Sequence, residues 1–267
     1  MVNIEYFKSK SKWLRQLVLE KTISTNGKCH IGSTFSCIEL LVALYYGKVL
    51  KFNPKIPNWD NRDIFVLGKG HACYALYNIL ADLGFFDFSF LDEYGEQGGS
   101  LGVQLNRNTP GIEYNTGSIG NAVGICSGTA LAFRIDNKDM KSIALIGDGE
   151  CQEGSVWESI TFASSYKLNN LIVIVDRNRI GATEYIEDSG NLKEKVIANG
   201  WECIEIDGHS FEDIFKSFDY IGKNKSPYMI IANTIKGKGV SFMENNKKWH
   251  SAALNEEEIK IARSELL

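Results

Sequence analysis

Short apolar runs rich in isoleucine and valine are the feature of this sequence that most restricts its fold. They occupy residues 142–146, 171–175, 202–206 and 228–232. Runs of this length and composition are typical of strands buried on both faces of a sheet. Apolar residues at helical spacing lie between them, at 156–168 and 211–221. Strands that alternate with helices predict right-handed crossovers, and therefore an α/β fold with a mainly parallel sheet flanked by helices.

The upstream half of the chain predicts further helices that cover this sheet. Residues 36–46, 71–83 and 119–133 are rich in small and apolar side chains. The 267 residues include only four prolines, and neither an internal repeat nor a low-complexity segment interrupts them. With 44% hydrophobic residues, such a chain can bury a substantial core. We therefore predict one domain spanning residues 1–267.

Charge and cysteine usage exclude several classes of protein. The formal net charge is −4, and lysines alternate with acidic residues without forming a basic stripe, so we expect no nucleic acid and no membrane partner. No stretch approaches the roughly 20 apolar residues of a membrane helix. The six cysteines form no CxxC pair, which indicates reduced buried thiols and favours a cytoplasmic protein.

Polar side chains directly follow two neighbouring predicted strands. Asp148, in the sequence GDGE, comes after the strand SIALI, and Asn178 comes after the strand LIVIV. Because the carboxyl ends of parallel strands meet at one edge of a sheet, these two side chains should converge. Carboxylate and amide oxygens are suitable ligands for Mg²⁺, with phosphate oxygens completing its shell. For GDG alone, a plain turn with Asp148 as a helix cap is the competing interpretation.

Six sequence blocks resemble the transketolase family. GDGECQEGSVWE followed by LNNLIVIVDRNRI is similar to its thiamine diphosphate motif. CHIGSTFSCIELLVALYY, DIFVLGKGHACYALY, TPGIEYNTGSIGNAVG and TIKGKGVSFMENNKKWH resemble further blocks of that family in the same order. The resemblance covers nearly the whole chain and implies a thiamine diphosphate-binding fold.

The resemblance also implies a metal-ligand set and a cofactor-binding set. Asp148 and Asn178 would bind Mg²⁺, with Ca²⁺ or Mn²⁺ as alternatives, through their side chains, and Ile180 would bind it through its carbonyl oxygen. The alternative for Ile180 is a plain core residue.

Glycine-containing turns would contact the cofactor through their backbone. Gly149 would donate its N–H to the diphosphate, since a residue without a Cβ lets the chain approach a phosphate closely. Gly117 and Ile119, in NTGSIG, match a turn that lies against the cofactor in the family. The alternative is an ordinary turn that leads into a helix.

Three of the four histidines fall in blocks that match the family's active-site motifs, namely His30, His71 and His250. The unperturbed pKa of histidine, about 6.5, suits proton transfer near the thiazolium and the substrate hydroxyls. His71 would also contact the cofactor. Each ring taken singly could be a satisfied core histidine. We expect the fourth, His209 in the DGHS turn, to be structural.

Two glutamates and two lysines have open roles. Glu153 and Glu158 follow the metal loop, where the resemblance places carboxylates at a subunit contact beneath the aminopyrimidine; Glu153 would also be catalytic. The alternative is favourable negative charge in the first turn of a helix. Lys236 and Lys238 could contact phosphate or could be ordinary surface lysines.

The resemblance covers only the N-terminal, diphosphate-binding half of a transketolase. It implies a separate C-terminal, pyrimidine-binding subunit, in an α2β2 heterotetramer, and transfer of a two-carbon ketol unit between sugars or sugar phosphates. The α subunit of a 2-oxo-acid-decarboxylating enzyme is the catalytic alternative. A regulatory paralogue without activity is the other, although intact Asp148, Asn178 and histidines disfavour it.

One position departs from the family pattern. Where transketolases have a histidine before the TPG segment, this chain has Gln104. An amide donates and accepts hydrogen bonds but does not exchange a proton near neutral pH. Gln104 therefore predicts a specialised substrate, unless the loop is shifted and its side chain faces solvent.

Overall fold

The computed structural model describes residues 3–182, 184–186, 191–223 and 225–267. Within these ranges a single five-stranded sheet is formed by β1 (Ile64–Leu67), β2 (Ser142–Gly147), β3 (Leu171–Arg177), β4 (Glu202–Asp207) and β5 (Tyr228–Asn233). The strands lie in the order β1-β2-β3-β5-β4, and every neighbouring pair is parallel. The predicted α/β fold with a parallel sheet is therefore confirmed.

Helices cover both faces of the sheet. In chain order they are α1 (Ile4–Ser24), α2 (Ile31–Ser36), α3 (Ile38–Tyr46), α4 (Cys73–Asp82), α5 (Ala122–Ile135), α6 (Gly154–Ser165), α7 (Leu192–Ala198), α8 (Phe211–Phe218) and α9 (Glu256–Glu265). One hydrophobic core joins the sheet to α1–α4, α8 and α9, and the other joins it to α5–α7. No helix in the described ranges is both long and apolar enough to cross a membrane.

The central strands supply both cores because successive side chains point to opposite faces. In β2, Ile143 and Leu145 pack into the core beneath α1–α4, whereas Ala144 and Ile146 pack beneath α5 and α6. All four are fully buried. This two-sided burial explains why the strands read as continuous apolar runs rather than as alternating patterns.

Several predicted boundaries were wrong, each for a local reason. The helix predicted at 36–46 begins only at Ile38, because the chain kinks at Cys37; Ser36 ends the separate helix α2, which was not predicted. The helix predicted at 119–133 begins only at Ala122, since Gly120 has a left-handed backbone with φ +87°. The helix predicted at 71–83 opens with a 3-10 turn at Gly70–Ala72. Strand β1 and helices α1, α7 and α9 were not assigned from the sequence at all.

A buried ion pair fixes helices α1 and α3 to the turn after β4. Arg15 and Glu39 approach to 2.7 Å, and the side chain of each is 8% exposed. His209 lies 3.0 Å from the same carboxylate through Nδ1, while its Nε2 accepts a hydrogen bond from the Ile235 N–H. This bonding places the ring proton on Nδ1. His209 thus contacts helix and loop residues, in keeping with the structural role expected for it.

The Arg15–Glu39 pair should make stability depend on pH. Burial alone would raise the pKa of Glu39, but Arg15 and His209 outweigh it and hold the pKa at about 2, below the ordinary 4.5. Because the folded-state pKa is depressed, this stabilisation is complete above pH 4.5 and is lost as the pH falls towards 2. Arg15→Met should lower the free energy of unfolding by about 3–5 kcal/mol, since it leaves the buried Glu39 carboxylate without its cationic partner. Urea denaturation at pH 7 measures this loss.

The exposed pair of Arg263 and Glu20 provides the matched control. Its side chains are 52% and 50% exposed, so Arg263→Met should leave the urea midpoint almost unchanged. Equal losses in the two variants would contradict a special role for the buried pair.

Candidate active site

A cleft of about 220 Å³ opens at the carboxyl end of the sheet, where ligands of such sheets bind. It lies beyond the ends of β1, β2 and β3 and is closed by α2 and by the 3-10 turn Lys247–His250. Its lining is formed by Ser33, Lys69, His71, Ile119, Gly147, Asp148, Gly149, Glu150, Asn178, Ile180, Gly181, Ala182, Ile186 and His250.

A fully buried ion pair lies at the base of this cleft. The Lys69 ammonium bonds to Asp176 and donates to the Ser33 carbonyl at 2.8 Å. Asp176 also accepts hydrogen bonds from the hydroxyls of Ser36, at 2.6 Å, and Thr234. Burial alone would lower the pKa of Lys69, but the neighbouring Asp176 carboxylate outweighs it and raises that pKa, so Lys69 stays charged.

The structure brings Asp148 and Asn178 to the same edge, as their positions after β2 and β3 predicted. Gly147 and Asp176 are paired across these strands, which sets the two following loops side by side. Asp148 accepts hydrogen bonds from the N–H groups of Gly149, at 2.9 Å, and Arg179. Burial, followed by the negative charge of Asp176, raises the pKa of Asp148 to about 6.

The amide of Asn178 is oriented by its neighbours. Its nitrogen donates to Ser36 Oγ at 3.3 Å and to Asp176 at 3.4 Å, while its oxygen accepts from the Ile180 N–H at 3.1 Å. The Asn178 amide oxygen and the Asp148 carboxylate therefore both accept hydrogen bonds from N–H groups of the loop after β3. In the described ranges, no group of three or more His, Cys, Asp or Glu side chains is placed to hold a metal ion. The predicted set is different in kind, since it combines one carboxylate, one amide and one carbonyl oxygen.

The sequence left the roles of Lys236 and Lys238 undecided, and of these two only Lys236 is buried. Its ammonium donates to the carbonyls of Ile180 at 3.0 Å and Gly181 at 2.7 Å, and it lies 3.0 Å from His250 Nδ1. Burial and the charge of Lys69 lower the pKa of Lys236 to about 8. A surface role for Lys236 is thus wrong, because the side chain is fully buried beside the cleft.

Three histidine rings form a triangle at the mouth of the cleft. The ring centroids of His30, His71 and His250 lie 5.3 to 5.4 Å apart. Burial lowers the pKa of all three, to about 4 for His250 and well below the usual value for His71, and nearby lysine charges add to the effect. All three rings are therefore neutral at pH 7. Nδ1 of His30 is buried without a hydrogen-bond partner among the described residues.

Gln104 packs against Gly70 and Gly117 rather than facing solvent, and it does not line the cleft. A Cβ on Gly70, next to His71, would lie 2.6 Å from Gln104 Oε1, and a Cβ on Gly117 would lie 3.1 Å from the same atom. Gly117 has φ +127°, a conformation that favours glycine. Among the described residues, the buried Oε1 of Gln104 has no hydrogen-bond partner. The alternative of a solvent-facing Gln104 is thus not what the structure shows.

Other residues singled out from the sequence lie at the rim or beyond it. Glu153 is half-buried at the start of α6, and Glu158 is exposed on that helix. Ile119 lines the cleft and is 46% exposed. Lys238 lies 3.4 Å from Glu244 and does not line the cleft.

Sequence reasoning missed three charged residues of the cleft. Lys69 and Asp176 stood inside quoted motifs but were assigned no role, and Glu150 was passed over in GDGE. Each lies at the end of a strand or within three residues of it, and all are buried. Charged residues next to buried apolar strands were the available signal, because such groups are rarely buried without a partner.

The chain matches the family described as transketolase, thiamine diphosphate binding domain, over residues 8–266. Among solved structures, transketolase from Campylobacter jejuni superimposes with a TM-score of 0.91 at 33% identity, covering 99% of this chain and 43% of that one. Transketolase from Leishmania mexicana gives a TM-score of 0.88 at 26% identity, covering 97% and 41%. The chain thus spans less than half the length of these transketolases. It belongs to the transketolase family and has the fold of its thiamine diphosphate-binding domain.

More specific relatives are chains of similar length. One of them, from Phocaeicola vulgatus, is named as a subunit of apulose-4-phosphate transketolase; it is 40% identical over 243 residues, which cover 89% of this chain and 85% of that protein. The 6-deoxy-6-sulfo-D-fructose transketolase subunit SqwG of Clostridium sp. is 38% identical over 258 residues, covering 95% and 93%. Within the family, the chain therefore corresponds to the N-terminal subunit of transketolases that are divided between two polypeptides.

Proposed function

We propose that this chain is the N-terminal subunit of a thiamine diphosphate-dependent transketolase that moves a two-carbon ketol unit from a ketose to an aldehyde acceptor. One observation carries the proposal: His71, His250 and the Asp148–Asn178 pair line one cleft, with His30 packed against both histidines, in a chain whose relatives are named as transketolase subunits. The alternatives, an oxo-acid decarboxylase subunit or a regulatory paralogue, have no observation in their favour.

The cleft offers suitable contacts for the diphosphate and for a hard divalent cation. Asp148, Asn178 and the Ile180 carbonyl would ligate Mg²⁺, with Ca²⁺ or Mn²⁺ as substitutes, and phosphate oxygens would complete the shell. The buried carboxylate of Asp148, with its raised pKa, fits a site that a cation neutralises. The N–H of Gly149 and the side chain of His71 would contact the diphosphate. Thiamine diphosphate supplies a carbanion that adds to a carbonyl group.

The neutral histidines would handle the protons of the reaction. A neutral imidazole donates through one nitrogen and accepts through the other, so His30, His71 and His250 can bind substrate hydroxyls and move protons between them. At His250 the acceptor nitrogen is Nδ1, because the Lys236 ammonium is directed at it. This leaves the proton of that ring on Nε2.

The partner in this proposal is a C-terminal, pyrimidine-binding subunit, in an α2β2 assembly. Ile119 lines the cleft and Glu153 packs against the neighbouring Gly120, where that subunit would cover the aminopyrimidine, and Glu158 is exposed further along α6. Gly117 and Ile119 would contact the cofactor through their turn. We place the enzyme in the cytoplasm, since none of the six cysteines, all of them in the described ranges, forms a disulfide.

The substrates in this proposal are sugars or sugar phosphates of an uncommon kind. The relatives are named for apulose 4-phosphate and for 6-deoxy-6-sulfo-D-fructose. Both names describe ketoses that carry an anionic group. Such substrates agree with the specialised donor that Gln104 predicts.

Activity should appear only when both subunits are present. The purified chain should show no ketol transfer, and mixing it with its C-terminal subunit should restore transfer together with a larger mass in analytical ultracentrifugation. Each polypeptide by itself is the control, assayed with ketose phosphates and with 2-oxo acids as donors. Transfer by the isolated chain would refute the two-subunit proposal, and turnover of 2-oxo acids alone would favour the decarboxylase.

Removing the proposed charged metal ligand should abolish Mg²⁺-dependent cofactor binding. Asp148→Ala deletes the only carboxylate of the ligand set, so we expect at least a hundredfold loss of thiamine diphosphate affinity in calorimetry on the assembled complex. Asp139→Ala, on an exposed turn before β2, is the matched control. Unchanged affinity in Asp148→Ala would sink the metal assignment.

Restoring an imidazole at position 104 should broaden donor use. Positioned acid–base groups contribute about 10²- to 10⁴-fold, so Gln104→His should raise kcat/KM for xylulose 5-phosphate by at least tenfold in the assembled complex. Gln97→His, on an exposed loop, controls for added histidine elsewhere. If the parent already uses this donor efficiently and the substitution changes nothing, specialisation at Gln104 is wrong.

A further inference from the structure

We propose that Glu150 is a positioning residue that clamps the turn at residues 117–120 onto the end of β2 and thereby fixes the position of that turn in the lining of the cleft. The link to cofactor binding rests on the proposed function. Glu150 is buried, at 3% exposure, and lines the cleft. Neither the metal set nor the histidine triangle includes it.

Both oxygens of the Glu150 carboxylate are used, and each binds a different backbone segment. Oε2 accepts the Gly120 N–H at 3.0 Å, and Oε1 accepts the Gly147 N–H at 3.1 Å. Gly147 ends β2, whereas Gly120 closes the turn that carries Ile119 into the cleft. One side chain therefore joins the end of β2 to the turn before α5, and both segments contribute to the lining of the cleft.

Gly120 is also held through its carbonyl group. Its carbonyl accepts a hydrogen bond from Ser155 Oγ at 2.9 Å. A Cβ on Gly120 would lie 2.7 Å from that hydroxyl oxygen and 2.8 Å from Glu153 Cβ. With φ +87°, this position requires glycine, and the turn is docked directly on the segment that begins α6.

The carboxylate has little room to move. A Cβ on Gly68, just after β1, would lie 2.8 and 2.9 Å from its two oxygens and 2.9 Å from Ala122 Cβ. Glutamate is required here because two backbone donors need two acceptor oxygens at fixed positions. Glutamine has the same size but only one acceptor, and its amide nitrogen would face a backbone N–H.

Two substitutions separate the loss of an acceptor from the loss of volume. In the complex with the partner subunit, Glu150→Gln should weaken thiamine diphosphate binding about tenfold, and Glu150→Ala should weaken it at least as much, because a charged acceptor is lost in both. Ser155→Ala removes one neutral bond and should weaken binding only a few-fold. Glu257→Ala, exposed on α9, is the matched control and should bind as the parent does.

Hydrogen exchange on the chain without cofactor provides the independent readout. The amides of Gly120 and Gly147 should exchange at least tenfold faster in Glu150→Gln, while those of β3 should keep the parental rate. Faster exchange throughout the chain would indicate a general folding role and overturn the proposal, as would parental exchange and parental affinity in Glu150→Gln. If the parent binds no cofactor but the local exchange effect is seen, the clamp stands and the proposed function fails.

Discussion

The buried ion pair between Lys69 and Asp176 is the interaction on which the rest of the cleft depends. It joins the ends of β1 and β3 across the end of β2, at a point where neither charge reaches water. Leaving one of these charges unpaired would cost about 3–5 kcal/mol, so the two strand ends stay together. Asp176 in turn accepts from Ser36, Thr234 and the Asn178 amide, which holds helix α2 and the loop after β3 in fixed positions.

Burial and the neighbouring charges together set the protonation states around the cleft. Burial, with the charges of Lys69 and Lys236 added to it, lowers the pKa of His71 and His250, so neither ring competes for a proton near neutral pH. Asp148 is in the opposite situation, because burial and Asp176 raise its pKa. The site thus combines two buried ammonium groups with one carboxylate whose negative charge is not neutralised by its neighbours. The ammonium groups suit a diphosphate, and the carboxylate suits the divalent cation that accompanies it. The arrangement thus supports the proposed ligand from its charges as well as from its shape.

The positions of site residues that directly follow the long central strands could be predicted from the sequence. The bounds of elements that depend on distant contacts could not. The runs at 142–146 and 171–175 are buried on both faces, so hydrophobicity alone located β2 and β3, and Asp148 and Asn178 followed from their ends. Strand β1 has only four residues and gives no such signal. The predicted helix began at Ser36 instead of Ile38, because the kink at Cys37 accompanies a Ser36 hydroxyl bonded to Asp176, 140 positions away.

The sequence by itself determined the parallel α/β fold and the motifs that meet at its edge, because burial periodicity and strand-end position are local properties of the chain. Tertiary structure decided which charges are paired. Lys69 with Asp176, Arg15 with Glu39, and Glu150 with the amides of Gly120 and Gly147 join residues whose proximity arises only when separate strands and turns are assembled. It also decided that Lys236 is buried while Lys238 is not, although the two are separated by a single glycine. Desolvation and pairing depend on neighbours in space, and a linear pattern does not contain them.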